Sequence, residues 1–221
     1  MIIVKQDIRK ILLAILSVLL LTGCSAKADV ASYVEGALKA RYHAEYELYM
    51  DVTGCDLEKA EKIYQDRLNE CMAVIESAEL SDELKAEYRD FFDRVLKSAR
   101  FSMGEVKEEN DIYYVEVTVE PFAMFSNIAD ELSIFVDEYY TEVTEDALEG
   151  SDIPTTEELR DDVYEILLEI LNNHMNHITY AEPVTMKLQV TQDEEGLVSI
   201  NPVDFQKLDQ LLIDMESMGL Q

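Results

Sequence analysis

Tryptophan is absent from this chain of 221 residues, and glycine (7), proline (4), cysteine (3) and histidine (3) are all scarce. With 48% apolar residues, so little Gly and Pro excludes a disordered chain, a collagen-like repeat and a Gly/Ser linker array, and one compact domain is expected. Cations are scarce too: 18 Lys and Arg face 47 Asp and Glu, a formal charge of -29. Phosphate binding needs a basic face to displace counterions, so nucleic acid is excluded as a partner. Neither a Walker loop, nor G-x-G-x-x-G, nor H-E-x-x-H, nor a G-x-S-x-G elbow occurs. Nucleotide hydrolysis, dinucleotide binding and zinc proteolysis therefore have no support.

Long apolar runs are also missing, with one exception. Lys5, Arg9 and Lys10 precede an apolar stretch from Ile11 to Leu21, broken only by Ser17. A spanning helix needs ~20 apolar residues, and the charges at 5, 7, 9 and 10 cut the preceding apolar residues off. The stretch reads as the core of an export signal over residues 1–23.

Leu21-Thr22-Gly23-Cys24 follows at once, and it resembles the lipobox of bacterial lipoproteins. The resemblance implies a diacylglyceryl group on the Cys24 thiol, cleavage just before that residue, and a domain held on the extracytoplasmic face of the cell membrane. Each buried methylene contributes about 0.8 kcal/mol, so two acyl chains such as palmitate hold a protein where one holds marginally. Residues 24–29 leave a short tether, because Ser25 to Asp29 at ~3.5 Å per extended residue span less than about 20 Å. Cleavage would remove three basic groups and one acidic group, leaving a body still more acidic. Anionic headgroups repel such a body within about a Debye length, so it should stand off the bilayer.

Residues 30–221 show long helical patterns. One helix is expected from Val30 to Asp51, with Val34, Leu38, Tyr42, Glu45 and Tyr49 on one face and Thr53-Gly54 as a stop. Leu57, Ala60, Tyr64, Leu68, Cys71, Ile75 and Ala78 recur at intervals of three and four, which marks a second. Cys55 and Cys71 would then lie roughly 24 Å apart along 16 residues, too far for a disulfide, and both read as reduced thiols. Ser81 caps a third helix to about Ala99. Further helices are expected at 126–148, at 155–180 behind the capping box Thr155/Glu158, and from Asn201-Pro202 onward.

Tyr113, Val115, Val117 and Val119 alternate with Tyr114, Glu116, Thr118 and Glu120, a strand with one buried face. Arg100 to Lys107 is its hairpin partner. Val184 to Val190 alternates likewise, turns at Gln192 to Gly196 and returns at Leu197 to Ile200. The reading is an α+β fold: a helix-rich single domain with two β-hairpins in a small antiparallel sheet, comparable to cystatin-like or nuclear-transport-factor-like folds. Tyr114 and Ile112 would be ordinary core if helices cover both sheet faces, which is the expectation, and a cup for an apolar or peptide ligand if they do not.

Tyr33-Val34, Tyr42, Met50 to Gly54, Tyr113 to Val119 with Pro121, and Asp204 to Ile213 are similar to small Gram-positive lipoproteins that carry a domain of unknown function. The resemblance implies a surface-anchored domain without assigned chemistry.

No catalytic residue, cofactor or metal is assigned. His174 and His177, three apart, could share a metal with Glu182, but the flanking Asn172, Asn173 and Asn176 suggest a polar helix end. Asp193-Glu194-Glu195-Gly196 lacks the alternating ligand spacing of a calcium loop. The leading reading is a non-enzymatic module that binds an envelope protein or small ligand. The alternative is an envelope hydrolase or metal-dependent enzyme built from dispersed carboxylates and His174/His177. A two-lobed solute-binding protein fits poorly, since the chain is short and lacks a hinge.

Overall fold

The computed structural model describes residues 29–110, 112–193, 197–215 and 217–220. The residues expected to form the export signal, Cys24 with the expected tether up to residue 28, and residues 194–196 of the turn expected at Gln192 to Gly196 lie outside them. Helix α1 covers 29–38 and runs directly into a π-helical turn, Lys39–His43. After it come α2 (Glu47–Thr53), α3 (Leu57–Ser77), α4 (Asp82–Lys97), β1 (Arg100–Glu109) and β2 (Ile112–Glu120). The second half holds α5 (Ile128–Glu149), α6 (Thr156–Met175), β3 (Val184–Gln192), β4 (Val198–Ile200) and α7 (Pro202–Leu212). The fold is therefore α+β, helix-rich, with one four-stranded antiparallel sheet in the order β1-β2-β3-β4.

Local chemistry sets the element ends. The Asp56 side chain accepts from Lys59 N–H to start α3, and Ser81 accepts from Leu84 N–H to start α4. Thr155 and Glu158 form a complete capping box on α6, and Asn201 with Pro202 opens α7. Helix α6 stops at Met175, five residues short of the expected Tyr180, because Tyr180 bridges to Phe122 and donates its hydroxyl to the Ser98 carbonyl.

One expected element is two. The helix predicted from Val30 to Asp51 breaks at Ala44, which adopts left-handed backbone (φ 56°), and the chain folds back so that α2 lies against α1. Gly36 permits the approach: a Cβ there would stand 2.8 Å from Tyr49 N and 2.9 Å from Tyr49 Cα. The Tyr33 and Tyr49 rings meet beside it, with centroids 5.9 Å apart.

Helices cover one face of the sheet. Val115, Val117, Val119, Leu188 and Val190 are fully buried against a core that includes Tyr42, Met72, Phe91, Phe92 and Leu171. Alternation puts Ser102, Tyr114, Glu116, Thr118, Thr185 and Lys187 on the other face, half-buried or exposed. This corrects the expectation that helices cover both faces. Nor is the open face an apolar cup: Thr118 and Thr185 hydroxyls share a hydrogen bond of 2.7 Å, and Lys107 and Lys187 both reach Glu116. A register shift between Met103 and Val106 bulges β1, where Gly104 crosses Glu116 so closely that a Cβ would stand 2.9 Å from the Glu116 Cβ.

Cys71 is buried and Cys55 partly so, and both are free thiols, as their separation along α3 required. No helix among the described residues is long and apolar enough to cross a membrane. At Gly36 the contacts are backbone atoms that cannot swing aside, so Gly36→Ala is expected to cost about 1–3 kcal/mol through overpacking. Thermal denaturation beside the wild type checks this; an unchanged midpoint would show that α1 and α2 do not meet there.

Candidate functional site

A cleft of about 520 Å³ opens where α3, α7 and the π-helical turn after α1 converge. Its floor holds the two buried charged residues among those described, Arg67 and Asp209, each 7% exposed. Arg67 belongs to the buried stripe of α3, three residues after Tyr64 and four before Cys71, all of them buried. Asp209 follows Leu208 on the inner face of α7. Arg41 arrives from the π-helical turn of α1.

Asp209 is held by donors from the single π-helical turn that follows α1. Arg41 gives it Nε to Oδ1 at 3.0 Å and Nη2 to Oδ2 at 2.6 Å, and the Tyr42 hydroxyl donates to Oδ1 at 2.6 Å. Neighbouring residues of a helix ordinarily point to different sides. Here the π-helical turn delivers both Arg41 and Tyr42 to one carboxylate. Arg67 Nε lies 3.3 Å from Asp209 Oδ1, close enough for charge attraction, yet off line for a hydrogen bond and without any other partner. Glu70 completes the group, accepting from Arg41 Nη2 at 2.7 Å and Arg67 Nη1 at 3.2 Å while its side chain stays 50% exposed. The Arg41 guanidinium stacks 4.9 Å above the Phe205 ring. Ile213, Met215 and Pro202 supply the apolar wall.

The electrostatics follow from this packing. Burial pulls the Arg41 guanidinium down, but the bond to and charge of Asp209 outweigh it, and the net direction is upward. Burial also opposes charge on Arg67, and Cys71 and Asp209 beside it reverse the direction. Burial pushes the Cys71 thiol up despite Arg67 close by, which makes it a poor nucleophile. Tyr42 is raised well above its ordinary value, first by burial and then by Asp209.

His174 and His177, which the alternative reading would join to Glu182 around a metal, lie at a second cleft, lined by Met124, Ser126, Asn127, Glu131, His174 and His177. Its geometry differs from that alternative. His174 ends α6 with Nδ1 2.6 Å from the Met124 carbonyl and Nε2 2.8 Å from Glu131 Oε2, so both ring nitrogens are engaged. The carbonyl only accepts, so Nδ1 donates and orients the ring. His177 reaches the Asn173 carbonyl at 3.5 Å. Glu182 is not part of this cleft, Glu131 stands in its place, and no group of three metal-ligating side chains occurs among the described residues. His43 is engaged elsewhere, Nε2 on the Ala99 carbonyl and its ring stacked on Phe101.

Sequence reading missed Arg41, Arg67, Glu70 and Asp209. The signal was present for two of them, since a charged residue on an apolar helical stripe needs a buried partner.

No family model matches the chain, and no curated protein matches it. Among solved structures its fold is similar to the crystal structure of a protein classed as a lipoprotein (ycdA) from Bacillus subtilis subsp. subtilis str. 168. The TM-score is 0.59 at 14% identity, with 87% of this chain covered. The chain spans 58% of the length of that structure. At this identity the likeness is one of fold.

Removing one partner of a buried ion pair leaves the other charge uncompensated, so Asp209→Asn is expected to cost about 3–5 kcal/mol. Urea unfolding checks it, and a loss under about 1 kcal/mol would mean that water already screens the cluster. Alkaline pH gives a second readout. Burial, with Tyr49 adding to it, pushes Tyr33 up to about 12, and Tyr42 moves in the same direction. Unfolded tyrosine ionises near ~10, so the unfolded state loses protons first. Their contribution is complete below about pH 10 and lost as pH rises through the folded-state values. Urea midpoints across that window should fall alongside delayed phenolate absorbance; phenolate forming entirely near pH ~10 with stability intact would contradict the burial.

Proposed function

We propose that this chain is an extracytoplasmic lipoprotein, anchored through Cys24, whose folded domain is a non-enzymatic binding module at the cell envelope. The observation that carries the anchor is Leu21-Thr22-Gly23-Cys24, placed directly behind an apolar signal core with basic residues before it. The fold neighbour classed as a lipoprotein supports the same reading.

The binding role draws on how the reactive side chains are used. A nucleophile needs a base beside it. Cys71 is buried with its thiol raised, His43 and His174 are bonded to backbone carbonyls, and Ser126 in the histidine cleft donates to the Ala123 carbonyl and not to an imidazole. The Arg41/Arg67 cleft, by contrast, presents charge and an aromatic ring in a concave surface, features suited to holding a molecule.

Intact mass and membrane fractionation of the full-length protein beside Cys24→Ala test the anchor. The wild type is expected to be cut before Cys24, to carry two acyl chains on the thiol and to sediment with membranes, while the variant moves to the soluble fraction. An unlipidated wild type cut elsewhere overturns the reading.

A further inference from the structure

The two carboxylates at the Arg41/Arg67 cleft are held differently. Asp209 is 7% exposed and takes three donated hydrogen bonds from Arg41 and Tyr42, so it is fixed in the fold. Glu70 reaches in from the exposed side of α3, its side chain half in water while the arginine side chains it bridges are 11% and 8% exposed. An exposed carboxylate gains little from such a pair, because water serves it nearly as well. The buried guanidinium groups have no such substitute, and Arg67 Nε still lacks a hydrogen-bond acceptor. The arginines therefore need an anion there more than Glu70 needs them.

We propose that the cleft is a binding site for a small apolar monocarboxylate, whose carboxylate replaces that of Glu70 on Arg41 Nη2 and Arg67 Nη1. The charge balance selects a monoanion: with Glu70 displaced, two arginines and Asp209 leave one positive charge. A phosphate dianion would exceed it, and the field of a chain at -29 opposes polyanions. Guanidinium groups match the planar carboxylate in shape. The volume of about 520 Å³ falls within the range of small-ligand sites. Phe205, Ile213 and Met215 line the same cleft as the arginines, and a short aryl or alkyl body there gains burial that the half-exposed Glu70 side chain does not. Glu70 is then a resident occupant that keeps the arginines paired when the cleft is empty and lowers the affinity for ligand.

The ligand class rests on the binding-module reading, in which the bound molecule leaves unchanged. The probe is 3-phenylpropionate, titrated into the purified full-length protein by calorimetry, with the neutral 3-phenylpropionamide and inorganic phosphate as comparisons. Glu70→Ala keeps a good helix former at an exposed site and should fold normally by circular dichroism. It is expected to bind the carboxylate about tenfold more tightly than the wild type, equivalent to about 1.4 kcal/mol. Adding Arg41→Gln to Glu70→Ala should remove that gain, and the amide should not bind. No tighter binding by Glu70→Ala, equal binding of the amide, or preference for phosphate overturns the proposal. Should the double variant fail to fold, the Glu70→Ala and amide comparisons decide alone. Recovering the probe after incubation separates the two readings: consumed probe overturns the non-enzymatic module and leaves the cleft as the site, whereas intact probe with no gain at Glu70→Ala overturns the cleft alone.

Discussion

One carboxylate ties the two ends of the described chain together. Asp209, on the last helix, takes the guanidinium of Arg41 and the hydroxyl of Tyr42 from the first, and draws Arg67 of α3 against it. The sequence separation between Asp209 and Arg41 is 168 residues, so this contact forms only when α7 has returned across the sheet. A hydrophobic surface can slide against another with little loss, but a buried ion pair tolerates one register. Asp209 thereby fixes where α7 lies, and α7 in turn covers the β2 and β3 side of the core through Leu208 and Leu212. Most other ion pairs here join residues three or four apart on one helix, or lie across strands that their backbones already pair, and they add little long-range restraint.

Elements that announce themselves by period and cap were legible in the sequence. The Leu57-to-Ala78 stripe, the Ser81 cap, the Thr155/Glu158 box and the β2 alternation each have a local cause, and each stands within a few residues of its expected place. The break at Ala44 was not legible, because alanine carries no turn signal and its left-handed backbone is imposed by the packing of α2 on α1. Its only trace was Gly36 inside a helical pattern, where a missing side chain often means that another backbone passes close by.

The site was hidden for a related reason. Arg67 lies beside Leu68 on an apolar stripe, three residues after Tyr64 and four before Cys71, and Asp209 lies beside Leu208 on the inner face of α7, so each could have been marked as a buried charge. What no local pattern reveals is that these two meet, or that a π-helical turn places Arg41 and Tyr42 on one acceptor. Glu70 is harder still, since one carboxylate among 47 carries no mark of its own. His174 and His177 drew attention by rarity, and the fold brings them to one cleft, but with Glu131 and a backbone carbonyl as the partners of His174.

The bulge in β1 bears on how copies of this molecule meet. In the order β1-β2-β3-β4, β1 and β4 are the outer strands, and an outer strand offers unpaired backbone groups to any neighbour. β4 is three residues long, too short to template another strand. β1 is ten residues long, but its register shifts after Met103, and Arg100, Glu105, Lys107, Glu108 and Glu109 stand exposed along it. The kink spoils a straight docking edge and the charges must be desolvated to cover it. A sheet bounded this way resists growth into a shared, intermolecular sheet even when many copies are crowded onto one surface.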